Sequence, residues 1–188
     1  SNWTAELLRR RYGVEARVLY PPVPGHLPTI PYGEREKGFV CIGRIVPEKR
    51  IEAIIEVLGR VRERGHTVHL HVVGGAAGNS DYVRFLKKHC LKHHLEWVSF
   101  EGRISEQTKK ELTVRHRFGI SARKNEPFGI VVAEMVQAGC IVFVPDGGGQ
   151  VEIVDHCDLV YANVEDAVNK IDRVLSSNEV QTTLQEYL

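Results

Sequence analysis

Apolar residues along the chain follow two rhythms. Short apolar runs occur at 39–42, 68–73, 97–100, 118–120, 141–144 and 159–161. Between them lie longer stretches in which apolar residues recur every three or four positions. The runs predict buried strands and the spaced stretches predict amphipathic helices. Ile51, Ile54, Ile55, Leu58 and Val61 mark a helix over 50–64 that Gly65 stops. A helix capped by Ser80 or Asp81 carries Val83, Phe85, Leu86 and Leu91, and Ser105 starts another over 106–114. Further helices are predicted over 127–138, over 164–176 behind a capping Asn163, and over 179–188. Strands that alternate with helices through short joints predict an α/β fold, a doubly wound parallel sheet with helices on both faces.

The first 34 residues follow neither rhythm for long. A helix over 4–12 ends at Gly13, a short strand follows at 17–20, and Pro21, Pro22, Pro24, Pro28 and Pro31 then forbid regular structure. Residues 1–34 therefore read as a linker and the end of an upstream domain, and residues 35–188 as one domain.

Charge and cysteine content narrow the partners. Lys and Arg total 25 against 24 Asp and Glu, a net charge of +1, which argues against nucleic acid. The cysteines Cys41, Cys90, Cys140 and Cys157 form no CxxC pair, and three lie in apolar strand-like or helix-to-strand sequence. They read as buried thiols of a reducing compartment, hence cytoplasmic. No apolar run approaches the roughly 20 residues that span a bilayer.

In a parallel sheet ligands bind beyond the carboxyl ends of the strands. Those ends carry Gly43-Arg44 with Lys49 close behind, Gly74-Gly75-Ala76-Ala77-Gly78, Gly102-Arg103, 121–126, and Pro145-Asp146-Gly147-Gly148-Gly149. Glycines let a ligand approach the backbone, and Arg44 and Lys49 add the positive charge that a diphosphate requires. Without a ligand the same pair is simply a solvated surface. Glu126-Pro127-Phe128-Gly129 is the sharpest motif. With Pro127 in first helical position, the amides of Phe128, Gly129 and Ile130 are expected to point unpaired at the sheet edge and to attract phosphate or sugar oxygens. Glu134 follows Glu126 by eight residues, a helical rise of about 12 Å. That is too far for a glycosidase pair, which needs roughly 5–9.5 Å between carboxyl groups, but suits two grips on one elongated ligand. The bland alternative makes Glu126 a helix cap and Glu134 a surface charge.

Five pieces occur in order: Gly43-Arg44-Ile45-Val46-Pro47-Glu48-Lys49, Gly74-Gly75, Phe100-Glu101-Gly102, Glu126-Pro127-Phe128-Gly129 through Glu134, and Gly148-Gly149-Gln150-Val151-Glu152-Ile153-Val154. Together they resemble the carboxy-terminal, donor-binding domain of the retaining family-four glycosyltransferases. The resemblance covers about residues 38–176 and implies one Rossmann-like half of a GT-B fold, with an acceptor domain upstream. It implies that Arg44 and Lys49 hold the donor diphosphate and, with Glu126, form the catalytic set. Glu126 binds hydroxyls of the transferred sugar beside the amides of Phe128, Gly129 and Ile130. Glu134 binds the ribose, and Gly102, Arg103 and Ile104 lie near the base. Gly43 and Gly75 allow close approach, Gln150 is unassigned, and Glu152 reads as structural. The resemblance further implies a prokaryotic mannosyltransferase of polysaccharide biosynthesis, using a nucleoside-diphosphate sugar such as GDP-mannose. It implies no cofactor and no metal, in keeping with the absence of Asp-x-Asp. The parent protein is expected to associate peripherally with the inner face of a membrane, and this stretch alone is expected to be inactive. The pattern departs from the family at His116-Arg117-Phe118-Gly119-Ile120, which is expected to be a weaker strand.

Other signals carry less. His89 and His93 have zinc-ligand spacing on a helix, but no acidic or cysteine pattern completes a site, and a polar helix face is the simpler reading. His66, His69 and His71 read as a partly exposed strand face. Gly74–Gly78 is not GxGxxG, and no acidic residue closes a following strand, against a dinucleotide. Arg9, Arg10 and Arg11 read as a solvated face. A non-catalytic nucleotide-binding or regulatory module, and a GT-B epimerase or phosphorylase, remain as alternatives.

Overall fold

The computed structural model describes all residues except 24–26, 28–29 and 77–80. Ser80 as a helix cap, Ala77 and Gly78 of the glycine loop, and Pro24 and Pro28 lie outside the described residues.

Six strands form one sheet: β1 (Glu36–Ile42), β2 (Leu70–Val73), β3 (Val98–Gly102), β4 (His116–Ile120), β5 (Ile141–Pro145) and β6 (Val160–Tyr161). Every pairing is parallel and the order is β3-β2-β1-β4-β5-β6. The expected doubly wound, Rossmann-like architecture is therefore present. Eight helices accompany it among the described residues: α1 (Asn2–Tyr12), α2 (Ile51–Glu63), α3 (Asp81–Lys92), α4 (Glu106–Arg115), α5 (Ile130–Gln137), α6 (Val151–Val154), α7 (Val164–Leu175) and α8 (Asn178–Tyr187). Helix α4 packs on β4, α5 on β4 and β5, and α7 on β6 and α2. Arg60–Glu165 and Arg64–Asp172 ion pairs line that α2–α7 seam.

The core explains why β4 is central rather than weak. Phe39 on β1 lies opposite Phe118 on β4, with ring centroids 5.0 Å apart. Phe143 on β5 stands 6.2 Å from Phe39. All three are fully buried. The apolar center of His116-Arg117-Phe118-Gly119-Ile120 thus fills the middle of the sheet, and its polar residues sit at the amino end.

Other expectations need correction. No strand forms over 17–20, and the segment pairs with no strand of the sheet. Cys41, Cys90 and Cys140 are buried, and burial pushes the Cys41 and Cys140 thiols up to about 12. Cys157 is exposed. His66 bonds Asp172 at 2.6 Å and so belongs to the α2–α7 seam. Ser105 and Asn163 cap α4 and α7 as expected, each accepting from a backbone amide three residues on.

Candidate functional site

The strand order reverses between β1 and β4, and the crevice beyond their carboxyl ends is where such a sheet takes a ligand. The chain leaving β1 stays bound to the chain leaving β2, through Gly43 N–H to Val73 O at 2.9 Å and Ile45 N–H to Gly75 O at 3.0 Å. It then turns through a short 3-10 helix (Pro47–Lys49) that aims Lys49 into the crevice. Lys49 Nζ lies 3.1 Å from Glu126 Oε2, with the two side chains 20% and 18% exposed. Arg123 Nη1 lies 3.3 Å from the same oxygen. A crevice opens here, lined in part by Lys49, Ser121, Glu126, Gly129, Ile130 and Gln150.

Glu126 is held by backbone rather than by a helix. It bridges to Gly148, and its carbonyl accepts the Gly149 amide at 2.8 Å. This corrects the expected helix over 127–138. Helix α5 begins at Ile130 behind Gly129, whose φ of 98° and ψ of 54° are left-handed and break any continuation from Pro127. The first bond of the turn is Ala133 N–H to Gly129 O at 3.1 Å. Helix geometry therefore leaves the amides of Gly129, Ile130, Val131 and Val132 without intrahelical acceptors; of the three expected amides Gly129 and Ile130 are among them, and Phe128 lies before the helix. Phe128 is half-buried and packs against Tyr20, centroids 5.7 Å apart. The eight-residue helical rise between Glu126 and Glu134 does not apply, because Glu126 precedes the helix.

Glu134 faces a neighbouring cleft that shares Ile42 with the first. Lys109 Nζ binds it at 3.1 Å and binds Glu106 at 2.8 Å. Gly75, Gly102 and Arg103 line a third groove at the ends of β2 and β3, with Lys87 and Phe100. Ile104 is half-buried beside it, and Arg44 is exposed with no ion pair among the described residues. Those of the expected residues that line hollows divide among three, and Gly43, Arg44, Ile104 and Phe128 line none of them. Only Lys49, Glu126, Gly129 and Ile130 share the first.

Three partners were not singled out from sequence. Arg123 and Lys109 meet their glutamates only in the fold. Gln150 is fully buried, donates from Nε2 to Arg123 O at 2.7 Å, and leaves Oε1 without a partner among the described residues. A buried orphan acceptor at a crevice is unfavourable unless a ligand or water meets it.

Glu152 has the structural role expected of it. Its carboxylate accepts from the Asn2 and Trp3 amides at 2.9 and 2.7 Å and from the Tyr20 hydroxyl at 2.8 Å. Burial pushes this carboxyl up, but these bonds outweigh burial and leave it below its ordinary value. It caps α1 from α6, the stabilising place for a negative charge. Thr4 Oγ1 adds a bond to Pro127 O at 3.0 Å. Glu152→Ala is expected to cost about 1–2 kcal/mol, localised to α1. Hydrogen exchange would show faster exchange for α1 amides and unchanged protection in β1 and β4; uniform loss across the sheet would count against a purely local cap.

Comparisons with known proteins identify the family and the fold. The family described as glycosyl transferases group 1 matches residues 30–188. The GDP-Man:Man(3)GlcNAc(2)-PP-Dol alpha-1,2-mannosyltransferase of Candida glabrata is 32% identical over 165 residues, covering 79% of this chain and 32% of its own length. The chain spans about a third of the length of such curated relatives. Among solved structures, sucrose-phosphate synthase of Thermosynechococcus elongatus superposes with a TM-score of 0.79 at 20% identity, over 99% of this chain and 50% of that one. The pneumococcal O-GlcNAc transferase GtfA, in complex with UDP and GlcNAc, gives 0.78 at 14% identity, over 100% of this chain and 39% of that one. At such identities these structures establish a shared fold.

Proposed function

The chain belongs to the glycosyl transferases group 1 family, and from that premise we propose that its carboxyl edge is the donor half of a retaining mannosyltransferase. One observation carries the reading: Lys49 and Glu126 meet at 3.1 Å in the crevice at the strand-order reversal, beside the amino end of α5. A cation and free helix amides suit a diphosphate, and a carboxylate suits sugar hydroxyls.

In this reading Lys49, Arg44 and the first amides of α5 hold the diphosphate. As the bond from the anomeric carbon to the diphosphate oxygen breaks, negative charge grows on that oxygen, and these groups stabilise it. The donor's arrival draws Lys49 from Glu126 toward phosphate and frees Glu126 to accept from sugar hydroxyls. Gln150 Oε1 offers a further acceptor. Glu134, released in part from Lys109, binds the ribose, and Gly102, Arg103 and Ile104 border the base. The mannosyltransferase relatives point to GDP-mannose. An upstream domain supplies the acceptor side, with residues 1–34 as its end and linker. The parent protein works in the cytoplasm at the inner face of a membrane; no helix among the described residues is long and apolar enough to cross one.

Calorimetric titration of the chain with GDP, UDP and ADP tests this. Saturable binding is expected, strongest for GDP. Lys49→Ala should weaken it about 10- to 100-fold, the loss of one charge-assisted contact in a partly buried site. Glu134→Ala should weaken GDP binding with less effect on inorganic pyrophosphate. Binding that both variants leave unchanged would place the nucleotide elsewhere and sink the assignment.

A further inference from the structure

The opposite edge of the sheet, at the amino ends of the strands, carries a histidine cluster that the donor reading does not use. His69 and His71 lie on and beside β2, and His116 opens β4. One ring nitrogen from each lies within 4.8 Å of the others. His69 and His116 belong to strands on either side of β1, yet their Nε2 atoms are 2.9 Å apart. Gly38 on β1 makes this contact possible. A Cβ there would stand 2.1 Å from His69 Nε2 and 2.7 Å from His116 Cδ2, so any side chain would fill the space the rings occupy.

We propose that His69, His71 and His116, with Glu36 as fourth ligand, form a binding site for a zinc-class divalent ion.

The surrounding bonds orient each donor as a metal site requires. His116 Nδ1 meets Leu112 O at 2.7 Å; it must donate there, which leaves Nε2 with its lone pair. His71 Nδ1 meets Glu101 Oε1 at 2.6 Å, which leaves its Nε2 to coordinate. Glu36 Oε1 is bound by Arg115 at 2.6 Å. Its Oε2 then faces the cluster, 3.5 Å from His69 Nε2 and 3.7 Å from His116 Nε2. Tetrahedral zinc, with ligand bonds of about 2.0–2.2 Å, sets neighbouring donor atoms about 3.3–3.5 Å apart. The Glu36 spacings to His69 and His116 are close to that, and His71 must draw in toward Glu36. The His69–His116 contact must open by a few tenths of an ångström, and the proton that His69 Nε2 donates to His116 must pass to His69 Nδ1. His69 is a third exposed and His116 is 1% exposed, so an ion enters from the His69 and Glu36 side. Once bound, it ties β2 to β4 across β1. Imidazole with carboxylate suits zinc over magnesium or calcium.

The test uses the whole chain, stripped with chelator and then titrated with zinc chloride, with cobalt chloride as an optical probe. One ion per chain is expected, and cobalt should show the intense visible bands of a tetrahedral site. His69→Gln should abolish stoichiometric binding, and Glu101→Gln should weaken it about 10- to 100-fold through His71. At a hundredfold excess of zinc over its dissociation constant the melting temperature should rise about 5–10 °C. GDP binding should be unaffected, since the donor crevice lies at the other edge. The His89–His93 pair, rings 4.6 Å apart, and the His156, Cys157, Asp158 group are the competing ligands. Zinc retained in His69→Gln and lost in His89→Gln or Cys157→Ser would overturn the assignment, as would the absence of stoichiometric zinc in the unaltered chain.

Discussion

Phe118→Ala is expected to lower the unfolding free energy by about 3–5 kcal/mol, the range for truncating a fully buried phenylalanine. The ring sits at the centre of the sheet, stacked on Phe39 at 5.0 Å and wholly shielded from water. Its neighbours stand on parallel strands pinned by ladders on both sides, so the cavity has little room to collapse. For a chain of this size that loss corresponds to a fall in melting temperature of about 6–20 °C. Phe85 on α3 supplies the control. It is 54% exposed, and Phe85→Ala should stay within about 0.5 kcal/mol. Urea unfolding of the two variants side by side reads the difference. Equal midpoints would mean that β4 is not the centre of the core.

Gly148→Ala carries the second large effect, and it couples stability to the crevice. Gly148 has a φ of 98°, and an added Cβ would lie 2.6 Å from Glu126 O and 2.7 Å from Glu126 N. The left-handed backbone costs a non-glycine residue about 1–2 kcal/mol. The overpacked contact costs about 1–3 kcal/mol more, since backbone cannot swing aside as a flexible side chain does. A total of about 2–5 kcal/mol follows if both act in full. Relief must come by breaking the Glu126–Gly148 bridge, which moves Glu126 away from Lys49. GDP-mannose affinity should therefore fall by at least about tenfold, the consequence of misplacing a sugar-binding group by an ångström, while GDP, which has no transferred sugar, is affected less. Calorimetry on the folded fraction separates this from unfolding. A destabilised protein that binds GDP-mannose normally would show that the seat of Glu126 is irrelevant to donor binding.

Much of this architecture is legible from the residues alone, for a simple reason. Strands covered on both faces must be apolar throughout, so 39–42, 118–120 and 141–144 announce themselves without any partner being known. Ser105 and Asn163 announce helix starts because capping is local chemistry. Legibility ends where the deciding partner is remote in sequence. The start of α5 was misplaced because proline suits a first turn, whereas the left-handed Gly129 decides where this helix begins. Residues 17–20 have strand-like composition but find no partner strand. Tyr20 instead bonds Glu152, 132 positions away.

The candidate site divides in the same way. Lys49 and Glu126 are both visible as strand-end residues, and the fold brings them together across 77 positions. Lys109 on Glu134, 25 positions away, could not be paired from spacing, whereas Arg123 stands only three residues before Glu126 and the nearness is a readable signal. Both change the chemistry, because each carboxylate is already ion-paired before a ligand arrives. Gln150 stood inside a recognised motif, but only its complete burial and unpaired Oε1 mark it as a ligand-facing group. His69 and His71 read from sequence as a strand face only, and nothing local ties them to Gly38 or His116. Their meeting depends on the parallel register that sets Glu36 opposite His116 and Val40 opposite His71.

The central claim is that the crevice between β1 and β4 holds the donor's diphosphate. A crystal structure of the chain with GDP-mannose tests it most directly. The account predicts diphosphate oxygens within hydrogen-bond distance of Lys49 Nζ and of the Ile130 or Val131 amide, with the Lys49–Glu126 pair opened and the ribose at Glu134. Nucleotide bound with its diphosphate away from Lys49 and α5, and that ion pair intact, would contradict it.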